Sequence, residues 1–137
     1  MPFFSTRPPL AQLVGALVVP ALFGAVCGVV LASSATAYWA LQGVGALGGL
    51  IGGMEHPTAA EGADRGVLGG LLFGSFLLLA HAIDGREAQA SLGQWPGLLI
   101  VFTAIAGGLL GAAGGALRGG RMGTAERPPD HFDKVRA

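Results

Sequence analysis

His81 and Asp84, one helical turn apart in "AHAIDG", are the pair in this chain best placed for proton or metal chemistry. At that spacing a carboxylate can orient an imidazole, as in a metal's outer shell or a pH-sensing pair. A second polar group, Glu55, His56, Glu61, Asp64 and Arg65, lies earlier in the sequence. Adjacent ligands such as Glu55 and His56 point in different directions on a helix, and no H-E-x-x-H motif occurs. The single Cys27 excludes an internal disulfide and a cysteine metal cluster. Ser5, Ser33, Ser34, Ser75 and Ser91 suggest no Ser-His-Asp arrangement. The expectation is a non-enzyme with no catalytic, cofactor or metal site.

A further motif invites a chemical reading. Gly43, Gly45 and Gly48 in "GVGALG" form a literal G-x-G-x-x-G, with Glu61 and Asp64 downstream where a ribose partner would stand. A dinucleotide loop needs a strand before it and a helix with a polar face behind it. Here the motif lies inside an uncharged apolar run, so the match is read as coincidence.

The elements that must position these residues follow from composition. Charged residues make up 12% of the 137 and hydrophobic residues 52%, too few charges for the solvated shell of a soluble domain. Net charge is zero, which gives no basis for nucleic-acid binding. Four apolar runs, at 10–32, 35–54, 66–84 and 96–118, are each long enough to cross a hydrocarbon core of roughly 30 Å. The predicted fold is all-α: a polytopic membrane protein whose four transmembrane helices form two antiparallel hairpins in a glycine-zipper-packed bundle. Residues 1–9 form a cytoplasmic N-terminal segment, and 119–137 a disordered cytoplasmic tail. "SATA" before Tyr38 imitates a signal-peptidase site, but the preceding 23-residue apolar run exceeds the usual signal core of about 7 to 15, which favours a retained span.

Local signals mark the helix ends. Ser33 and Ser34 allow only a short link between the first two helices. Thr58 and Glu61 have capping-box spacing, which starts the third helix near Ala59, and Gly85 stops it. Glu61 and Arg65, at i, i+4, can pair. Pro96 suits the first turn of the fourth helix. Arg7, Arg65, Arg118, Arg121 and Arg127 fall on one side and Arg86 on the other. The positive-inside rule therefore puts both termini in the cytoplasm of a bacterial inner-membrane protein.

Glycine recurs every four residues in three of the helices. The rows are Gly45, Gly49 and Gly53, with Gly48 and Gly52 beside them; Gly62, Gly66, Gly70 and Gly74; and Gly107, Gly111, Gly115 and Gly119. Gly24 and Gly28 give the first helix a shorter version. Residues four apart share a face, and a face without Cβ atoms permits the close backbone approach that drives helix association in lipid. "ALFG" at 21–24 resembles "LLFG" at 71–74, and "GGLIGG" at 48–53 resembles "GGLLGA" at 107–112, as a parallel duplication would.

Depth separates the polar candidates. His81 lies roughly 9 Å from the midplane, still within the apolar layer. Almost the whole membrane separates it from His56. A relay between them has only Ser75, Gln42 and Thr103 at intermediate depth. In length and span number the chain resembles small multidrug transporters, but those need a buried acid in the first helix, and 10–32 has none. The expected role is structural, assembly or accessory, with the lipid bilayer and a second copy or another membrane protein as partners. The alternative is a small oligomeric transporter or channel with His81 and Asp84 on its pathway.

Overall fold

A computed structural model describes residues 4–125. After a short 3-10 turn at Phe4–Thr6, four long helices follow. Helix α1 spans Pro9–Leu31, α2 Ala35–Gly53, α3 Ala59–Asp84 and α4 Leu98–Ala125. No strand occurs among the described residues, so the G-x-G-x-x-G motif lies within α2 and has no strand before it.

Helix ends follow their local chemistry. Ser34 caps α2, its side chain accepting from the Ala37 N–H at 3.3 Å. Thr58 does the same for α3, accepting from the Glu61 N–H at 3.2 Å. Gly85 ends α3 in the left-handed conformation with φ 69°, which glycine adopts without a Cβ penalty. Pro96 lies in the turn before α4, which starts at Leu98. At its far end α4 continues past residue 118 to Ala125, helical where a tail was expected, because no proline interrupts the ladder before Pro128. The rest of the expected tail, 126–137, lies outside the described residues, as do residues 1–3.

Three of the four helices, α1, α3 and the Leu98–Gly120 part of α4, are long and apolar enough to cross a membrane. Helix α2 has the length but not the hydropathy, because Gln42, Tyr38, Trp39 and six glycines dilute its nineteen residues. The surface agrees with an apolar environment. Leu22, Leu47, Leu79 and Leu109 are each more than half exposed, while the large buried side chains are few. A soluble monomer does not present so much contiguous apolar surface.

Contacts between helices give their directions. Gly24 of α1 lies against Phe73 and Gly28 against Leu77, so α1 and α3 run parallel. Gly62 and Gly66 of α3 face Gly111 and Gly107, and Gly70 faces Thr103, so α3 and α4 run antiparallel. Helix α3 is thus central, with α1 on one side and α4 on the other. Helix α2 meets α4 closely only at its C-terminal end, where Gly53 lies on Gly111 and Gly114 on Leu50 and Met54.

The end of the bundle near Asp84 is closed by side chains. Cys27, Leu31, Tyr38 and Leu77 are buried there together. The segment between α3 and α4 folds over them, with Ala90 buried and the Gln89 N–H donating to the Leu31 carbonyl at 2.9 Å. The opposite end is held by polar contacts.

Candidate functional site

Between α2 and the other three helices lies a cavity of about 500 Å³. From α1 it is lined by Gly15, Val19, Pro20 and Phe23, and from α2 by Gln42 and the glycines from Gly45 to Gly53. Arg65, Gly66, Gly69, Gly70 and Phe73 line it from α3, and Thr103, Ala106, Gly107 and Leu110 from α4. Its walls are mostly apolar, and no carboxylate lines it among the described residues.

The cavity exists because two sets of glycines do different work. On α3 and α4 they bring backbones together. A Cβ on Gly66 would fall on the Gly107 carbonyl oxygen, and one on Gly70 on that of Thr103. Gly74 faces the Thr103 hydroxyl and the Ile100 backbone, while Gly107, Gly111 and Gly115 return the contact from α4. Such crossings leave no space. On α2 only Gly53 makes one. Gly45 instead meets the Phe23 ring at 3.0 Å and Gly49 meets Leu110 at 3.6 Å. Gly43, Gly48 and Gly52 would meet nothing within 4 Å. Phe23, packed on Phe73 with ring centroids 5.8 Å apart, holds α2 off α3. From that prop toward the C-terminus of α2, Gly48 and Gly52 line an opening rather than a contact.

Among the described residues, Arg65 is the one charged residue on the cavity wall. Its Nη2 donates to the Gly15 carbonyl, fifty residues away. That carbonyl is available because of Pro20. In α1 the residues Val14–Val18 form a π-turn, within which the Val19 N–H reaches back to Val14. The next N–H in that register would serve Gly15, but residue 20 is proline and has none. The oxygen freed by the proline is the one Arg65 takes. Gly69, one turn along α3, leaves room for the guanidinium, since a Cβ there would stand 3.1 Å from Nη1.

Around the mouth near the C-terminus of α2, the other polar candidates hold the ends of helices. Arg7 pairs with Glu55, and Arg118 donates to the Met54 carbonyl at 3.0 Å. His56 Nδ1 lies 3.2 Å from the Gly52 carbonyl. The Arg118 cation on the carbonyl that ends α2 suits the negative end of its dipole. The Arg65 guanidinium, placed by its i, i+4 spacing where it could pair with Glu61, donates to the Gly15 carbonyl.

His81 and Asp84 are not brought together as a pair. Asp84 takes Arg86, with both carboxylate oxygens within 3.1 Å of Nε. His81 Nδ1 is buried without a hydrogen-bond partner. Neither residue borders the cavity. No group of three His, Cys, Asp or Glu side chains converges on a point among the described residues.

The sequence reading named Arg65, Gln42 and Thr103 but missed the Gly15 carbonyl. The available signal was Pro20 inside an otherwise uninterrupted apolar helix, since an internal proline necessarily frees a backbone oxygen. Comparison with known proteins finds no matching family model, no matching curated relative and no matching solved structure.

Proposed function

We propose that this chain is a four-span protein of the bacterial cytoplasmic membrane, with both termini in the cytoplasm. It works without catalysis, as a small accessory or assembly subunit that holds a partner inside the membrane. A glycine zipper closes α1, α3 and α4 into a rigid trio. The fourth helix is left to make the binding face. One observation carries this reading: Gly48 and Gly52 of α2 line the cavity and a Cβ on either would meet nothing within 4 Å, whereas a Cβ on Gly66, Gly70 or Gly107, which also line it, would fall on the backbone of the facing helix.

The four-span arrangement is supported by direction. Since α1 and α3 run parallel, the chain must travel back between them, and α2 is the only element that can make that journey. The grouping of Arg7, Arg65 and Arg118 at one end supports the orientation. The transporter alternative has less support, because Asp84 is engaged by Arg86 and the cavity wall does not include His81.

The test places a photo-cross-linking residue at Gly48, with Leu109 as the comparison on the exposed face of α4. A discrete adduct from position 48 and only dispersed lipid from position 109 is expected. Identical patterns at both positions would sink the receptacle reading. Single cysteines at Ser34 and Thr58 must also react from opposite sides of the membrane, and labelling from the same side would end the four-span arrangement.

A further inference from the structure

Resting on that reading for the cavity it controls, we propose that residues 9–18 of α1 form a two-state arm that opens and closes the α1 side of the cavity. Packing marks where the arm ends. No residue of Pro9–Leu13 or of the π-turn Val14–Val18 is buried, and Leu10 is 73% exposed. Further along, α1 is clamped, because Gly24 and Gly28 lie on the backbone of α3 at Phe73 and Leu77. A loosely packed arm thus meets a fixed stem at a turn that contains Gly15 and is followed by Pro20. A π-bulge and a proline are both recognised causes of helix kinks.

The turn itself supplies the two states. In the register present, the Val19 N–H reaches Val14, Pro20 offers no N–H to Gly15, and Arg65 donates to that carbonyl from α3. In an α-helical register the Val19 N–H serves Gly15, and the carbonyl facing the proline becomes that of Ala16. Each register leaves one oxygen that Pro20 cannot serve, so the proline alone does not choose between them. The bond from Arg65 favours the first. Exchanging registers turns residues 9–13 by about 100° relative to the stem, the angle of one helical residue.

Arg7 is the latch. Gln12 Nε2 donates to the Arg7 carbonyl at 2.8 Å, which ties residue 7 to the arm, and the Arg7 guanidinium pairs with Glu55 just past the end of α2. Turning the arm parts that pair. The pair is partly exposed, so it contributes little and a small perturbation can release it. Gly15 in the turn, with Val19 and Pro20 at its base, lines the cavity. The register of the turn therefore sets the shape of the α1 wall. With the latch made, the arm is held to the end of α2; with it parted, the gap between α1 and α2 opens.

Double electron–electron resonance on the full chain in lipid nanodiscs reads the arm. Spin labels go on Leu10→Cys and Ala60→Cys, with Cys27→Ala removing the native thiol. Labels on Leu79→Cys and Leu109→Cys report the packed α3–α4 pair as a control. Two Leu10–Ala60 distances are expected beside one Leu79–Leu109 distance. Glu55→Gln should raise the share of the second Leu10–Ala60 distance about threefold, the scale of a partly exposed ion pair. Exchanging the charges, Arg7→Glu with Glu55→Arg, should restore the first distance. Pro20→Ala should favour the second through the register of the turn, with the latch residues unchanged. The adduct from a photo-cross-linker at Gly48 should rise in yield with the second distance. A single Leu10–Ala60 distance, unmoved by Glu55→Gln and Pro20→Ala, would overturn the arm, while the adduct at Gly48 would still stand for the receptacle. An arm that moves without changing a measurable adduct yield would overturn its control of the cavity. No adduct in any variant, with the arm still moving, would sink the receptacle and uphold the two-state arm alone.

Discussion

Replacing Gly70 by alanine adds one methyl group, and the structure allows its effect to be worked out. The new Cβ would fall on the Thr103 carbonyl oxygen, 2.6 Å from its carbon and 2.8 Å from the Ala104 Cα. Carbon atoms prefer separations of about 3.5–4.0 Å, so α4 would have to retreat by roughly 1 Å. Backbone cannot rotate away as a side chain can. A retreat of that size forfeits about a quarter to a half of each dispersion well along the seam, and the neighbouring crossings at Gly66 and Gly74 open with it. Overpacking typically costs about 1–3 kcal/mol, and alanine returns at most about 1 kcal/mol of helix propensity. The net expectation is a loss of about 2 kcal/mol for Gly70→Ala, near the upper end because the seam is shared. Gly43→Ala is the matched control. It removes a glycine from a helix interior where a Cβ meets nothing within 4 Å, so it should be neutral or stabilising by up to about 1 kcal/mol. Both are read from reversible unfolding in mixed micelles by far-ultraviolet circular dichroism. The reasoning predicts shifts of opposite sign or, at least, a loss confined to Gly70→Ala. Equal stability of the two variants would refute it, whatever the absolute values.

Other perturbations probe the remaining contacts. Pro20→Ala restores an N–H that in an α-helical register serves the Ala16 carbonyl and returns the Val19 N–H to Gly15, in competition with Arg65; backbone chemical shifts of 14–18 should move from π-turn to α-helical values, and unchanged shifts would contradict the assignment. His81→Leu removes a buried nitrogen that has no partner, a group whose burial costs about 1–3 kcal/mol. It should therefore leave the midpoint of thermal unfolding unchanged or raised, and a marked fall would show that the imidazole makes an essential contact. A double-mutant cycle on Arg7→Ala and Glu55→Ala should give a coupling of about 0.5–3 kcal/mol for groups in contact, and additivity would mean that the pair does not hold the two ends together. Thr58→Ala should cost about 1 kcal/mol through loss of the α3 cap, measured by the same unfolding assay, with Ser in its place restoring stability.

Much of the fold was legible because its signals are local. Thr58 with Glu61, Ser34, and Gly85 each set a helix end through bonds made within a few residues, and such rules do not depend on tertiary context. Pairing was legible only where repetition is strict. Gly62, Gly66, Gly70 and Gly74 keep one face for a full four members and do lie on α4. On α2 two interleaved rows share the same period, and nothing in the sequence says which one is covered. The answer depends on the Phe23 ring standing against Gly45, a contact between residues of different helices. Helix α2 likewise looked like the other spans by length, although its glycines lower its hydropathy below theirs. Three of those six, Gly43, Gly48 and Gly52, also leave space beside it.

Arg65 illustrates how a misread partner hides a site. At i, i+4 from Glu61 it looked like half of a solvated surface pair, an arrangement that contributes a few tenths of a kcal/mol. The structure instead turns it inward, to a carbonyl in the π-turn just before Pro20, a residue with no N–H to give. Two sequence features forty-five residues apart, a proline in one helix and an arginine in another, thus make one polar contact in an apolar wall. Gly69 gives the guanidinium its room, and Gly48 and Gly52 keep the facing side open. None of these residues is unusual alone in a membrane helix. Their convergence sets a polar contact beside an open cavity, which a row of glycines that merely packs does not do.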